Sequence, residues 1–278
     1  MNTIHCGPYS LSTERPLVMG IVNLTPDSFS GDGLLNDVER AIAHARAQWS
    51  AGADILDIGA ESSRPGAIPT PEDEELRRLM PVMEELRTWN VPISVDTYKP
   101  AVMRASLLAG ASMINDISGM IRPEALAAVA GSDCAICLMH MRGEPGTMQQ
   151  SPQYKDVLGE VREFLALAVA RCRQAGITNE RLVLDPGFGF GKSLQHNLVL
   201  FRAMATTAID HLPILVGVSR KSMLGEITGR PVGERMSASL AAAVLAAAKG
   251  AKILRVHDVA ETRDALAVWA AIEQGEDA

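Results

Sequence analysis

Basic residues are too few in this chain to balance its acids. There are 26 Lys and Arg residues against 33 Asp and Glu, a formal net charge of -7 and a pI near 5.4. General nucleic-acid binding and anionic-membrane binding both need a basic face, so we expect no nucleic acid and no membrane among the partners. A small anionic ligand remains compatible with this balance, because a few Lys and Arg side chains can converge locally.

Cysteine is also scarce. Four residues (Cys6, Cys134, Cys137 and Cys172) in a chain of 278 residues form no recognisable disulfide framework. Cys134 and Cys137 make a C-x-x-C pair inside the run DCAICLMH, which is typical of a buried strand. Residues three apart on a strand point to opposite faces, so the two sulfurs should not share a metal. Core packing is the expected role of this pair.

Long apolar runs are missing as well. The N-terminal segment MNTIHCGPYSLSTERP has no run of signal-peptide length. The most apolar stretch, residues 240–248, reaches only about half of the roughly 20 residues that a membrane span needs. We therefore expect a cytoplasmic protein.

Apolar residues are nevertheless plentiful, at 47% of the chain. Short β-rich runs alternate with helical patterns from end to end. The predicted strands are residues 17–24, 54–59, 91–96, 112–117, 135–139, 181–186, 214–219 and 253–257. Their spacing of about 30 residues is the length of a βα repeat. Most of these runs are apolar on consecutive positions, as parallel strands covered on both faces should be.

This alternation predicts an α/β fold, a (β/α)8 TIM barrel. Helices are expected at about 36–50, 151–175, 237–249 and 259–273, and another is expected to begin at Thr70-Pro71-Glu72. Gly-Ala pairs precede several strands, where Gly can end a helix: Gly52-Ala53, Gly110-Ala111 and Gly250-Ala251. We predict one domain over 1–278, with peripheral ends at 1–14 and 275–278. The alternative, an open doubly wound sheet, usually has a Gly-rich turn after its first strand, where this chain has NLTPDSFS.

Polar residues concentrate where the apolar runs end. In order they are Asn23, Asp57 to Glu61, Asp96, Asn115-Asp116, His140, Asp185, Ser219-Arg220-Lys221 and Arg255-Val256-His257-Asp258. Any one of them can be a helix cap or a turn residue. In a barrel, however, the loops after the strands build the active site at one face, so the set as a whole indicates a site.

The residue types in this set also indicate which ligand groups they could bind. The carboxylates of Asp96 and Asp185 can each accept two parallel N–H bonds from a flat heterocycle with an amidine edge. An Asn such as Asn115 can both donate and accept, and Lys221 adds a donor. Arg255 and His257 are two apart on a strand and share a face, which predicts a small site for phosphate or diphosphate. The run 219–222 precedes a helical segment and, with Ser222, could hold a carboxylate.

Long loops follow the first two strands. Residues 25–36 and 60–70 are rich in Gly, Pro and Ser, and loops of this length are often lids that close on substrate. We predict that role for both and assign none to the third long loop, 142–152. The run 187–192 lacks the spacing of a phosphate loop and is interpreted as a tight turn that lets a flat ligand approach the backbone.

Eight of these segments resemble the motifs of bacterial dihydropteroate synthases, in the same order and across about residues 15–275. They are MGIVNLTPDSFS (19–30), ESSRPG (61–66), SVDTYKP (94–100), INDI (114–117), LMHM (138–141), LDPGFGFGK (184–192), GVSRKS (217–222) and RVHDV (255–259). Three departures stand out. Ser63 replaces a usual Thr, Gly31-Asp32-Gly33 replaces Asp-Gly-Gly, and Ala60 replaces a usual Gly.

The resemblance implies a set of residue roles. The pterin pocket would consist of Asp96, Asn115, Asp185 and Lys221, lined by Met139, Phe190 and Gly217. Asn23 would hold Mg2+, the implied cofactor, and Asn23, Ser63, Arg64, Arg255 and His257 would surround the diphosphate. The p-aminobenzoate would contact Phe29, Ser63, Pro65, Phe190, Lys221 and Ser222, with Asp27 on the first lid. Asp96, Lys221, Arg255 and His257 would be catalytic.

The implied reaction joins 6-hydroxymethyl-7,8-dihydropterin diphosphate to p-aminobenzoate and releases pyrophosphate, through a pterin cation. Sulfonamides, which mimic p-aminobenzoate, would inhibit it, and the chain would form a homodimer. Two alternatives stay open from the sequence. One is a pterin-binding methyltransferase that acts with a corrinoid partner, and the other is a non-catalytic pterin-binding homologue.

Overall fold

A ring of parallel strands forms the centre of the molecule, in a computed structural model that describes residues 2–25, 38–64 and 66–274. A hairpin, β1 (Thr3–Cys6) and β2 (Tyr9–Ser12), precedes the ring. The ring strands are β3 (Leu17–Asn23), β4 (Ile55–Gly59), β5 (Ile93–Asp96), β6 (Met113–Asp116), β7 (Ala135–Met139), β8 (Leu182–Asp185), β9 (Leu215–Val216) and β10 (Ile253–Val256). All of their pairings are parallel, from β3 through to β8 and from β9 through β10 back to β3.

The ring closes between β8 and β9. Leu184 forms a parallel bridge with Ile214, and the Leu184 amide donates to the carbonyl of Pro213 at 2.9 Å. Because every strand then lies beside its neighbour in the chain, the sheet has no free edge. The predicted (β/α)8 barrel is confirmed.

Helices connect the strands and cover the outside of the barrel. They are α1 (Val38–Ser50), α2 (Glu72–Leu86), α3 (Pro100–Leu108), α4 (Pro123–Ala130), α5 (Val157–Gln174), α6 (Leu194–Arg202), α7 (Ser222–Thr228), α8 (Met236–Ala248) and α9 (Val259–Gln274). Gly52, Gly110 and Gly250 have φ values of 95°, 100° and 93°. These three glycines adopt the left-handed conformation that ends a helix, as the Gly-Ala pairs predicted. Within the described residues, no helix combines the length and the apolar character that crossing a membrane requires.

Two apolar cores lie on either side of the strands. The outer core packs the helices against the barrel, and the inner core fills the barrel with side chains such as Met19, Ile55 and Val183. Cys134 belongs to the outer core and Cys137 to the inner one. The two thiols of the C-x-x-C pair therefore face different sides of the sheet, and all four cysteines are free and buried.

The N-terminal hairpin corrects the prediction of a peripheral end at 1–14. Ile4 and Cys6 are buried in the inner core together with the barrel side chains. The Gly7 amide donates to the carbonyl of Asp133 at 3.1 Å, and the Cys6 thiol contacts the carbonyl of Ser112 at 3.3 Å. The hairpin thus covers the amino-terminal end of the barrel and leaves the carboxyl-terminal end open.

The strand β9 is shorter than predicted. The apolar run 214–219 forms a strand only at Leu215–Val216. The chain turns immediately afterwards, because the Lys221 amide donates to the carbonyl of Val218 at 3.1 Å. This turn moves Ser219 and Lys221 out of the sheet and onto the rim of the barrel.

Candidate functional site

The strand register places the predicted polar side chains at one mouth of the barrel. Asp96 lies opposite Asn115, and Met139 lies opposite Asp185. Gly59 is level with both Asn23 and Asp96. Residues opposite each other in neighbouring parallel strands point to the same face. The carboxyl ends of these strands therefore contribute to one cavity.

Arg255 crosses the barrel mouth and pairs with two carboxylates. Its Nε atom donates to Asp57 Oδ2 at 2.6 Å, and one terminal nitrogen donates to Asp96 Oδ2 at 2.9 Å. The sequence pattern grouped Arg255 with His257 at the diphosphate. The guanidinium lies against these two carboxylates, because a buried carboxylate without a partner would be very unfavourable. Its contact with the diphosphate stays a prediction.

Asp57 is a site residue that the predicted set of ligand contacts omitted. It is fully buried, and its Oδ1 atom has no hydrogen-bond partner among the described residues. Asn115 is similar: its Nδ2 atom lies 3.5 Å from Asp57 Oδ2, and its Oδ1 atom has no partner there either. Unpaired buried acceptors are costly, so both atoms are suited to N–H groups of a ligand. The sequence feature that could have identified Asp57 is its position inside the otherwise apolar strand ILDIG, where a charged residue is costly.

The ionisation of Asp96 depends on its buried surroundings. Burial raises the pKa of Asp96 to about 7, although the neighbouring Arg255 lowers it. The nearby carboxylate of Asp57 adds to the increase. The Asp96 carboxyl is therefore poised to change its charge close to neutral pH.

Lys221 approaches the same cavity from the rim. Its Nζ atom donates to the carbonyl of Phe188 at 2.6 Å and lies 4.5 Å from the centre of the Phe190 ring. Burial lowers the pKa of Lys221 to about 8, and Asp185 opposes this decrease. A Cβ atom at Gly217 would lie 3.7 Å from Arg255 and 4.0 Å from Lys221 Nζ. The missing side chain at Gly217 thus leaves a flat wall between the two cations.

The turn after β8 is built around a buried lysine. Lys192 Nζ donates to the carbonyls of Gly187 and Phe190 at 2.8 and 3.1 Å and lies 2.9 Å from His140 Nδ1. Burial and the neighbouring Lys192 lower the pKa of His140 to about 2, so its imidazole is neutral and can accept this bond. Burial also lowers the pKa of Lys192 itself well below its ordinary value. The Gly187 amide donates to Asp185 Oδ1 at 2.7 Å. The turn therefore orients both Asp185 and the aromatic ring of Phe190.

The glycines of this turn serve loop packing more than ligand approach. A Cβ atom at Gly187 would lie 1.8 Å from the carbonyl oxygen of His140, and one at Gly191 would lie 2.3 Å from that of Arg142. Both glycines also have positive φ, at 70° and 64°. They allow the turn after β8 to press against the segment after β7.

His257 lies on the rim beside Ser219. Its Nδ1 atom is 2.9 Å from Ser219 Oγ, and its backbone amide donates to the same hydroxyl at 3.3 Å. Burial, helped by Arg220, Arg255, Arg64 and Lys221, lowers the pKa of His257 to about 3. The imidazole is therefore neutral at pH 7. Arg220 itself pairs with Asp258.

Asn23 and Asp96 form the part of the mouth that fits Mg2+. A Cβ atom at Gly59 would lie 3.6 Å from Asn23 Oδ1 and 3.9 Å from Asp96 Oδ2, so two oxygen donors flank an open space. Among the described residues no group of three or more His, Cys, Asp or Glu side chains is arranged to hold a metal. Mg2+ commonly binds through one or two protein oxygens together with substrate phosphates, so this sparse donor set fits it.

The second and third long loops contact each other. The Gly66 amide donates to the carbonyl of Pro145 at 3.1 Å. Met148 from the third loop is buried with Met139 and Phe190 in a small cluster at the mouth. The loop 142–152, which had no predicted role, therefore supports the wall of the site.

The remaining predicted residues are on the edge of the mouth or outside the described ranges. Ser63 is partly exposed, and Arg64 and Ser222 are exposed, the last at the start of α7. Asp27, Phe29 and Pro65 lie outside the described residues, as do most of the first predicted lid and Asn36. Asp96, Asn115, Asp185, Met139, Phe190, Gly217, Lys221 and Arg255 come together as the sequence indicated.

The chain is similar to known proteins over nearly its whole length. The model of a family described as pterin binding enzyme matches residues 19–257. Dihydropteroate synthase of Escherichia coli (strain K12) is 51% identical over 260 residues, which is 93% of this chain and 92% of that protein.

Solved structures agree in fold. Burkholderia cenocepacia dihydropteroate synthase complexed with 7,8-dihydropteroate superposes with a TM-score of 0.90 at 50% identity, over 98% of this chain and 96% of that one. Yersinia pestis dihydropteroate synthase with a sulfonamide drug complex superposes with a TM-score of 0.94 at 46% identity, over 98% and 99%.

Proposed function

This chain belongs to the pterin-binding enzyme family, and from that membership we propose that it catalyses the dihydropteroate synthase reaction. It transfers the pterin methylene group from diphosphate to the amino group of p-aminobenzoate, giving 7,8-dihydropteroate and pyrophosphate. The observation that carries the proposal is the shared mouth of Asp57, Asp96, Asn115, Asp185 and Lys221, with unpaired acceptors at its floor. The similar proteins include a synthase bound to this same product.

Pterin recognition uses the floor and the Lys221 wall. The unpaired Oδ1 atoms of Asp57 and Asn115 accept N–H groups of the pterin edge, and Asp185 accepts further ones. Lys221 donates to a ring oxygen or nitrogen. Met139, Phe190 and Gly217 provide the apolar surfaces against which a flat ring can pack.

The C–O bond to diphosphate breaks with its electron pair leaving on the diphosphate. The positive charge that remains is delocalised over the methylene group and the pterin ring. Asp96, in its carboxylate form, stabilises this cation, and its pairing with Arg255 holds it in place. The aniline nitrogen then donates its lone pair to the methylene carbon and loses one proton. Because that nitrogen is neutral at pH 7, no strong general base is needed.

The rim binds the leaving group. His257, held through Nδ1 by Ser219, donates from Nε2 to a diphosphate oxygen, and Ser63 and Arg64 supply further donors. Arg255 contributes positive charge from within the mouth. Asn23, with Asp96 beside it, would hold Mg2+, which would neutralise charge on the diphosphate.

The p-aminobenzoate half-site lies outside the pterin pocket. Phe190 and Lys221 form its inner wall, and Ser222 lies at the start of α7, where its side chain is exposed. Ser63 belongs to the second loop, and Phe29 and Pro65 complete the proposed set. Sulfonamides compete for this half-site because they carry the same aniline group.

The first experiment measures pyrophosphate release when both substrates and Mg2+ are mixed with the protein. We expect release that depends on both substrates and falls when a sulfonamide is added. A methyltransferase or a non-catalytic homologue would release none, so its absence would reject the proposal. The synthases matched above favour condensation over methyl transfer.

A second experiment tests the role of Asp96. Asp96→Asn should lower kcat by about 100-fold, because the charge that faces the developing cation is lost. The dissociation constant of a pterin analogue should rise much less. Equal losses in rate and in pterin binding would argue against the cation role.

We also propose a homodimer and a cytoplasmic location. Leu245 on α8 and Val268 and Ile272 on α9 are large apolar side chains that are more than half exposed, which suits a surface covered by a second copy. Four free, buried thiols suit a reducing compartment. Light scattering coupled to size exclusion tests the first proposal by mass.

A further inference from the structure

The second long loop is closed at its neck by a compact group of side chains. This neck cluster consists of Glu61, Thr70, Glu75, Tyr98 and Lys99. Glu61 and Thr70 are the two ends of the loop, Glu75 lies in the first turn of α2, and Tyr98 and Lys99 follow β5. The neck cluster therefore ties the loop that carries Ser63 and Arg64 to two fixed elements.

Lys99 is the centre of the neck cluster. Its Nζ atom donates to the carbonyl of Thr70 at 2.5 Å, to Glu75 Oε2 at 2.6 Å and to Glu61. Glu61 Oε1 also accepts from the Thr70 amide at 3.3 Å and from the Tyr98 hydroxyl at 2.9 Å. Both ends of the loop are thus bonded to Lys99 and to each other.

Burial makes this arrangement sensitive to any loss of a partner. The side chains of Lys99 and Glu61 are 12% and 10% exposed, and that of Glu75 is 1% exposed. Although burial opposes it, the bonds to Glu61 and Glu75 raise the pKa of Lys99, so the amine stays charged. Removing that charge leaves two carboxylates close together in a poorly solvated place, where they repel each other.

The neck cluster also touches the wall of the mouth. The ring of Tyr98 packs against the buried cluster that contains Met139 and Phe190. Its hydroxyl bonds to Glu61, two residues before Ser63. A displacement of the neck would therefore reach the loop residues at the p-aminobenzoate half-site before it reaches Asp57 or Asn115 on the barrel floor.

We propose that Lys99 is a positioning residue that holds the neck of the second loop, so that Ser63 is placed for p-aminobenzoate and for sulfonamides. The inference rests on the proposed function of the site. Lys99 touches neither substrate in this proposal. Its effect reaches the reaction only through the position of the loop.

The test compares two constants: the Michaelis constant for p-aminobenzoate and the dissociation constant of a pterin analogue that carries no diphosphate. Lys99→Met should raise the constant for p-aminobenzoate about tenfold, because part of the binding energy must then order the loop. The dissociation constant of the pterin analogue should change by less than about twofold, because the analogue binds at the barrel floor and does not contact the loop. Sulfonamide affinity should fall in parallel with p-aminobenzoate affinity.

Two further variants keep the test decisive. Lys252→Met is the matched control: Lys252 Nζ also donates to a backbone carbonyl, that of Thr13 at 3.0 Å, but at the opposite end of the barrel. It should change neither constant. Tyr98→Phe removes one bond to Glu61 without changing charge, and it should shift the p-aminobenzoate constant in the same direction by about twofold.

The outcomes separate this role from a plain structural ion pair and from the proposed function. An equal rise in both constants, or no rise for p-aminobenzoate, overturns the role of Lys99 while the function stands. If Lys99→Met does not fold, Tyr98→Phe provides the test: a rise in the p-aminobenzoate constant alone supports the role of the neck cluster, and an equal rise in both constants overturns it. If the unaltered enzyme releases no pyrophosphate, the proposed function fails, and the role of Lys99 fails with it.

Discussion

Asp57 organises the floor of the site through one strong pairing. Its side chain is fully buried, and Arg255 supplies the only charge that bonds to it among the described residues. An isolated buried carboxylate costs several kcal/mol, so the guanidinium is held inward instead of extending to the rim. The pairing joins residues that are 198 positions apart in the chain. One buried acid thus determines where the longest basic side chain of the site lies.

Two ionisable side chains should shape the pH dependence of activity. Asp96, whose pKa is raised by burial to about 7, is a carboxylate only above that pH. Lys221, whose pKa is lowered by burial to about 8, is an ammonium ion only below that pH. We expect a bell-shaped profile of kcat/KM for the pterin diphosphate, with limbs near these values. This profile is measured from initial rates of pyrophosphate release between about pH 5.5 and about pH 9.5, a range that extends beyond both limbs.

Asp96→Asn serves as the control for the acidic limb. An amide does not titrate in this range, so the residual activity of the variant should be flat below neutral pH. The alkaline limb should remain, because Lys221 is unchanged. Survival of the acidic limb in this variant would assign it to another group.

The turn between β8 and α6 joins several parts of the site into one element. Lys192 bonds to two carbonyls of this turn. Backbone groups of the same turn bond to the side chains of Asp185 and Lys221. The Ser193 hydroxyl caps α6 by accepting from the His196 amide at 3.2 Å, and His196 Nδ1 accepts from the Ser193 amide. A local disturbance here should therefore affect stability and pterin binding together.

Gly187→Ala should disrupt this element. The added methyl carbon would lie 1.8 Å from the carbonyl oxygen of His140, and the φ of 70° disfavours any residue other than glycine. We expect a loss of about 3 kcal/mol or more in the free energy of unfolding, from the clash and the backbone strain together. Urea denaturation followed by circular dichroism measures it.

Gly176→Ala is the matched control for this substitution. Gly176 has a similar φ of 82°, but no atom lies within 4 Å of the place that an added methyl carbon would occupy. Its cost should be only the backbone term of about 1–2 kcal/mol. Equal losses for the two variants would show that the contact with His140 does not matter.

At the scale of the whole molecule, the two ends of the barrel contribute differently to stability and to function. The amino-terminal end is covered by the hairpin β1–β2, which adds Ile4 and Cys6 to the inner core. The carboxyl-terminal end carries the charged mouth. In barrels of this kind the first end contributes to stability and the second to chemistry.

Ile4→Ala should separate stability from activity. Ile4 is 1% exposed, so the truncation leaves a cavity in the inner core and should cost about 2–4 kcal/mol of unfolding free energy. kcat and both Michaelis constants should stay within about twofold, because additivity holds for distant sites. His5→Ala, on the exposed side of the same strand, should change neither quantity. A selective loss of kcat in Ile4→Ala would contradict the separation of the two ends.

Much of the architecture was predictable because it depends on local patterns. Consecutive apolar residues marked the parallel strands, and the Gly-Ala pairs marked the helix ends at Gly52, Gly110 and Gly250. The opposite facing of Cys134 and Cys137 followed from strand geometry alone. The hairpin at 3–12 was not predicted, since its burial depends on contacts with Ser112 and Asp133 far along the chain.

The amino-acid order alone was enough to predict the barrel, the succession of its strands and the rim on which Asp96, Asn115, Asp185 and Lys221 meet. These features repeat the short-range periods of strands and helices, so they can be inferred without knowing any long-range contact. The partners of the long and buried side chains, in contrast, depended on the folded arrangement. Arg255 bonds to Asp57, Lys192 to His140 and Lys99 to Glu61 and Glu75, because burial makes an unpaired polar or charged group unfavourable. Three-dimensional packing alone determines which group lies within reach.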